Sequence, residues 1–260
     1  MKIEYCLFAC NDNEKYYRYY GYVREFWRKI LGVKTLLVFI GDKLPEVLEK
    51  YRDEIIMFNI ESVHPVFIAQ NIRLLYPALI ESNEGVIIAD IDILPLNKEY
   101  FVESIKDIDN DKFIFINTTG RQIENEFYIC YNIATPNVWG ELFKIKTAED
   151  IKIKLKEWYT SIEYSYNDKY RSLCKGFHHD QIILKKTIEN NKNINLKILD
   201  KKIKRLVPQN YEYANKTINS KSIIFNIIRD IKNYDDYHIS RQLEFNNRLH
   251  EKIKDVLLNI

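Results

Sequence analysis

The chain has 260 residues, with 39 basic and 37 acidic side chains leaving a formal charge of +2. That balance excludes a broadly basic nucleic-acid binder and confines any recognition of anions to local patches. With 46% hydrophobic residues, including 19 Tyr, 13 Phe and 3 Trp, the chain can bury a sizeable core and is not a solvated, disordered polymer.

In chain order, residues 3 to 10 (IEYCLFAC) form an apolar run that predicts a strand. Tyr16, Tyr19, Tyr20, Val23, Phe26, Trp27, Ile30 and Leu31 then recur at helical spacing up to Gly32. TLLVFI at 35 to 40 predicts a second strand, Leu44 to Tyr51 a short helix, and IIMF at 55 to 58 a third strand. A helix from about Pro65 carries Ile68, Ile72, Leu75 and Leu79, with Pro77 as an expected kink, and GVIIA at 85 to 89 is a fourth strand. Runs apolar on both faces, joined by helix-length crossovers, imply a mostly parallel α/β sheet flanked by helices, which binds ligands at its strand carboxyl ends.

Beyond Pro95 the pattern loosens. Strands are expected at 113 to 116, about 127 to 134, 196 to 199 and 223 to 228. Helices are expected from Pro136 to about Phe143, at 148 to 158 and around Ile182 to Ile188, and Leu243, Phe245, Leu249, Ile253, Val256 and Leu257 predict a C-terminal amphipathic helix. No repeat or Gly/Ser linker divides the chain. The expectation is one domain over 1–260, with 1–96 as a nucleotide-binding half, 97–240 as an acceptor-binding half and 241–260 as the terminal helix.

Cys6, Cys10, Cys130 and Cys174 have no CxxC spacing and read as buried free thiols. Glu4 interrupts any signal-peptide core, and no segment has the roughly 18 uncharged apolar residues of a membrane span, so a soluble cytoplasmic chain is expected. Charge is uneven. Residues 81–130 hold eleven acids against four bases, and 144–205 hold sixteen bases against eight acids. Such a split suits either solvated helices or a metal site facing a surface that attracts anions.

The most informative stretch is GVIIADIDILPL, 85 to 96, where a buried strand ends at Asp90 and Asp92 follows two residues later. Two hard carboxylates at the ligand-binding edge of a parallel sheet suit Mn²⁺ or Mg²⁺, although turn acids have the same spacing. Asn11, Asp12 and Asn13 close the first strand at that edge, either as turn residues or as partners of a base and ribose. Arg73 ends the helix that leads into the carboxylates, where a planar guanidinium suits a diphosphate.

This region resembles the DxD segment of GT-A fold nucleotide-sugar glycosyltransferases, in which an Arg-bearing helix leads into a hydrophobic strand, Asp-x-Asp and a Pro-containing turn. The resemblance extends to YCLFACNDN at 5 to 13 and FHHDQIIL at 177 to 184. It implies a single GT-A-like, Rossmann-like domain that moves a sugar from a nucleoside-diphosphate donor, UDP-linked by expectation, to a glycan or other acceptor hydroxyl. By the same resemblance, Ala9, Cys10, Asn11, Asn13, Arg73, Asp90 and Ile91 contact the nucleotide sugar. Asp90, Asp92 and His238 hold Mn²⁺ or Mg²⁺, and Gln70, Asn132, Trp139 and His179 line the sugar and acceptor pocket.

Asp180 would be the general base, or would orient the donor in a retaining enzyme; read without the resemblance, it is an acid at a helix N-terminus. His178 and His179 are adjacent and cannot both face one site. The glycogenin-type HxxGxxKPW sequence is missing, so the stereochemical outcome stays open. Two other readings remain: a haloacid-dehalogenase-type phosphatase, with FIFINTTG and Asp235–Asp236 as its later motifs, and a non-catalytic nucleotide-sugar-binding protein. In the phosphatase, however, the nucleophile loop follows the first strand, and here three strand–helix units precede Asp90. P-loop, GxGxxG, HExxH and GxSxG signatures do not occur.

Overall fold

The computed structural model describes residues 1–117, 126–167, 174–207, 229, 231–239, 251–253 and 255–256. The first strand, β1 (Ile3–Asn11), is followed by α1 (Glu14–Tyr17), α2 (Tyr20–Leu31), β2 (Lys34–Ile40), α3 (Glu46–Glu49), β3 (Ile55–Phe58), α4 (Pro65–Leu75) and β4 (Gly85–Ile88). Then come β5 (Ile93–Pro95), α5 (Lys98–Phe101), β6 (Lys112–Asn117), β7 (Asn132–Ala134), α6 (Pro136–Phe143), α7 (Ala148–Ser161), α8 (His179–Asn190), β8 (Asn195–Lys201), β9 (Arg205–Leu206) and β10 (Asp236–His238).

Seven strands form one sheet in the order β3-β2-β1-β4-β7-β6-β8, in which only the pairings made by β7 are antiparallel. The fold is therefore α/β, with a mostly parallel central sheet between helices. From β1 the chain steps outward through β2 and β3, then returns to place β4 on the other side of β1. This reversal opens a crevice at the adjoining carboxyl ends of β1 and β4, where such sheets take ligands. Leu7 pairs with Ile88 and Asn11 with Ile40, so the segments after Asn11 and Ile88 leave the sheet at the same edge.

Hydrophobic burial sets these elements. In α2, Tyr20, Val23, Phe26, Trp27 and Leu31 turn inward, and Trp27 packs edge-on against Phe8 with ring centroids 6.2 Å apart. The helix stops at Gly32, whose φ of 72° is costly for residues with a Cβ and whose N–H caps Arg28 O. In α4, Pro65 occupies the first turn and His64 Nδ1 accepts from Val66 N. Pro77 ends this helix rather than kinking it, and residues Tyr76–Leu79 continue as a 3₁₀ turn.

A second sheet, in the order β5-β10-β9, is not anticipated by the sequence pattern. Its strands have two or three residues, and β9 and β10 carry charges, so neither forms an apolar run. Two further expectations change. The 16-to-31 helix divides into α1 and α2, and the strand expected from about 127 shortens to Asn132–Ala134, because Tyr131 has a φ of 70°. The expected strand at 223 to 228 and the residues from 240 to 250 lie outside the described residues; 251–253 and 255–256 are helical, with Ile253 buried. All four cysteines are buried thiols outside any disulfide. Among the described residues no helix is long and apolar enough to cross a membrane.

Candidate functional site

A cavity of about 410 Å³ occupies the crevice between β1 and β4. Ala9, Cys10, Asn11 and Asn13 line it from the end of β1, Tyr16 from α1, and Val66, Ala69, Gln70 and Arg73 from α4. Asp90, Ile91 and Asp92 follow β4, while Tyr166, Phe177 and His238 come from distant parts of the sequence. The buried Gln70 Oε1 has no hydrogen-bond partner among the described residues, and Nε2 of the same side chain donates to Phe177 O at 3.4 Å. A cavity wall is where such an acceptor can be satisfied by a ligand hydroxyl.

Asp90 and Asp92 diverge. Asp90, with its side chain 35% exposed, is tied to the β4 side of the site: Arg73 Nη1 donates to its Oδ1 and Cys130 Sγ donates to its Oδ2 at 2.8 Å. Arg73, 8% exposed, also donates through Nη2 to Asp180 Oδ2 at 3.3 Å, so one guanidinium holds two carboxylates. Burial acts to raise the Asp90 pKa, but the Arg73 charge and the hydrogen bonds outweigh it and hold this group below the ordinary carboxylate value. At Asp180 burial wins over Arg73, and the pKa rises to about 6. Burial also lifts the Cys130 thiol well above its usual range, which keeps its proton in place for donation.

Asp92, 25% exposed, pairs instead with His238, with Oδ2 and Nε2 3.4 Å apart. The second sheet creates this proximity. His238 stands opposite Ile93 in the β10–β5 ladder, and Ile239 N donates to Asp92 O at 2.8 Å. Desolvation acts to lower the His238 pKa, yet its contact with Asp92 carries it above the ordinary value. Beside it, the fully buried Asp236 takes Arg205 through Nε and Nη2 and accepts from Tyr131 Oη at 2.7 Å. The strained Tyr131 therefore lets one dipeptide touch both arms, with Cys130 reaching Asp90 and Tyr131 reaching β10.

The remaining expected positions fall elsewhere. Trp139 is fully buried against Phe113 and donates through Nε1 to Val86 O at 3.3 Å, so it belongs to the core and not to a sugar pocket. Asn132 is likewise buried in β7, where Nδ2 donates to Tyr128 O and Ile129 O. His179 lies behind the cavity wall, packed on Phe67 and Trp158. Asn71 Nδ2 donates to Phe67 O, which leaves Asn71 Oδ1 to accept from His179 Nδ1 at 2.7 Å. Burial pushes His179 down to about 4, so it is neutral at pH 7. Asp180 is 5% exposed and does not line the cavity; it meets the site through Arg73. His178 stands at the N-terminal boundary of α8, makes no capping bond through its side chain, and faces Glu126 and Gln181. The sequence does not mark Tyr16, Val66, Tyr166, Phe177 or Cys130 as site residues. Phe177 lies within the FHHDQIIL segment, whereas Tyr166 sits in a loop without periodicity.

Asp92 and His238 place an oxygen and a nitrogen donor side by side at the cavity; the carboxylate suits Mn²⁺ or Mg²⁺, and an added imidazole nitrogen fits Mn²⁺ better than Mg²⁺, which takes oxygen ligands. Asp90 has both oxygens engaged. Among the described residues no three His, Cys, Asp or Glu side chains converge as a metal cage.

No protein-family model and no curated protein matches the sequence. Among solved structures the chain is similar to the galactosyltransferase LgtC in complex with donor and acceptor sugar analogues, at 15% identity and a TM-score of 0.46, over 96% of this chain and 95% of that one. It is similar to the apo form of the glycosyltransferase GlyE of Streptococcus pneumoniae TIGR4 at 14% identity and a TM-score of 0.48, over 100% of this chain and 63% of that one. A third similarity, at 11% identity and a TM-score of 0.41, is to a glycosyltransferase involved in glycosylation of the major capsid of PBCV-1, over 96% and 99% of the two chains.

Proposed function

We propose that the chain is a divalent-metal-dependent glycosyltransferase that moves a sugar from a nucleoside-diphosphate donor, UDP-linked in this reading, to an acceptor hydroxyl. One observation carries it: Asp92 and His238, 146 positions apart in sequence, meet at 3.4 Å on the rim of a cavity at the β1–β4 switch point. Asn11 and Asn13 supply the nucleoside wall. Asp92 and His238 would hold Mn²⁺ or Mg²⁺, which when bound offsets negative charge on the diphosphate leaving group. Gln70 offers an unpaired acceptor to a sugar hydroxyl. Arg73 fixes Asp90 at the cavity wall, and Asp180 works as a positioning residue that holds Arg73 from behind.

The test is thermal stability with UDP-, GDP- and ADP-sugars, with and without Mn²⁺. A donor at a hundred times its Kd stabilises by about 2.7 kcal/mol, a rise of several degrees in Tm. A rise confined to one nucleotide class and dependent on Mn²⁺ is expected; no rise with any nucleotide sugar rejects the reading. Release of UDP in the presence of acceptor separates the transferase from a protein that only binds the donor.

A further inference from the structure

The cavity has a second wall that the nucleotide does not account for. Residues 162–167 and 174–177 run side by side: Ser165 N donates to Lys175 O at 3.4 Å, Lys175 N to Ser165 Oγ at 3.1 Å, and Asn167 N to Cys174 Sγ at 2.9 Å. Gly176, with a φ of +82°, makes the approach possible, since a Cβ there would lie 2.5 Å from Ile162 Cδ1 and 3.1 Å from Tyr164 Cδ2. The paired segments carry Tyr164 and Tyr166 onto His64 at the start of α4, with ring centroids 5.5 and 4.9 Å away. Tyr166 and Phe177, both half-buried, face the cavity beside Val66 and Ala69.

This wall is built from elements other than those of the nucleoside side. Asn11, Asn13 and Tyr16 belong to β1 and α1, whereas Phe177 lies three residues before Asp180 and its carbonyl is tied to Gln70. From Arg73 back to His64 the helix runs about 13 Å. The wall thus follows α4 from Arg73 toward His64, with rings along it and the unpaired Gln70 Oε1 near its Arg73 end. Aromatic faces beside an amide acceptor suit a pyranose, which presents apolar C–H faces and hydroxyl donors together.

We infer that Tyr166 and Phe177 form the platform for a saccharide acceptor, lying along α4 with its reacting hydroxyl toward the carboxylates. The inference rests on the glycosyltransferase reading and assigns the class of its second substrate. A nucleobase also stacks on aromatic rings, so the experiment must separate the two ligands.

Binding is measured on the full chain by saturation-transfer NMR and titration with UDP plus Mn²⁺ present. The saccharide probes are methyl β-D-galactopyranoside, methyl α-D-glucopyranoside, lactose and cellobiose. At least one is expected to bind, Tyr166→Ala to weaken it about tenfold or more, and Tyr166→Phe to keep its affinity within about threefold because the ring remains. UDP affinity should move by less than about threefold in both variants. If Tyr166→Ala weakens UDP and spares the saccharide, the wall holds the base and the inference is overturned. No saccharide binding in the parent overturns it equally, as does equal saccharide affinity in parent and Tyr166→Ala. In each of those cases retained UDP binding leaves the transferase reading standing, whereas loss of UDP binding in the parent itself strikes the transferase reading first.

Discussion

Asp90 and Asp92 are separated by one residue and live in different surroundings. The inner arm is an ionic cluster in which Arg73 holds Asp90 and Asp180 while Cys130 donates to Asp90 from the far side. The outer arm is the pair Asp92 and His238, held at the rim by short strands. One spacing therefore delivers two cavity-lining carboxylates with different partners, an arginine and a thiol for Asp90 and an imidazole for Asp92. Charge within a parallel-sheet crevice can be divided between holding the backbone in place and meeting the substrate.

If this division is correct, removing the outer carboxylate should hurt chemistry and spare the fold. Asp92→Ala should lower metal-dependent transfer about a thousandfold or more, with Tm within a few degrees of the parent. Steady-state rates in Mn²⁺ together with a melt check both halves; undiminished transfer would break the comparison.

Removing the inner cation should do the reverse. Arg73→Met leaves two carboxylates without their shared partner, and losing one member of a buried pair costs about 3–5 kcal/mol. Urea unfolding should show that loss, and a stability within about 1 kcal/mol of the parent would mean the cluster is not structural.

A smaller effect sharpens the picture at the turn into α8. The folded-state pKa of Asp180, about 6, lies above its ordinary 3.8, so the folded chain holds an extra proton between those values and stability falls as pH rises through that window. His179, at about 4 against 6.5, acts in the opposite sense, because there the unfolded chain holds the extra proton and stability rises with pH. The two slopes oppose each other in the parent. Asp180→Asn removes the first, so its Tm should climb more steeply from pH 4 to 6.5 than the parent's. Parallel profiles would show that Asp180 does not titrate in this range. If Asp180 positions Arg73, the same variant should alter donor affinity together with turnover, whereas a general base would lose turnover alone.

The smallest expected change is at Cys130. Cys130→Ala removes one hydrogen bond to Asp90, worth about 1 kcal/mol, and Cys130→Ser should restore most of it. Equal stability of all three forms would remove Cys130 from the inner arm.

The same two arms show how far residues alone could be read. β2 and β4 are legible because a strand buried on both faces is apolar throughout, as TLLVFI and GVII are, and the neighbouring helices are bounded by Gly32 and Pro65. That pattern also placed Asp90 and the end of β1 at one sheet edge. The outer arm was not legible from pattern: DYH carries a buried Asp236 neutralised by Arg205, a pairing that hydropathy reads as solvent-exposed loop. Only the resemblance suggested His238. Trp139, Asn132 and His179 mislead for a related reason, since polar tips on buried residues look like ligand contacts until a core partner such as Val86 O or Asn71 Oδ1 is seen to take the hydrogen bond. Tyr166 could not be found at all, because its role arises from the pairing of two loop segments around Gly176.

The central claim is that Asp92 and His238 share a divalent ion with the donor diphosphate. Free Mn²⁺, followed by electron paramagnetic resonance during titration of the protein in saturating UDP, reads that ion directly. The parent should bind one equivalent, and His238→Ala should bind it at least about tenfold more weakly, with UDP affinity falling in step because the diphosphate shares the coordination shell. Equal Mn²⁺ affinity in parent and His238→Ala, with UDP bound in both, would contradict the claim.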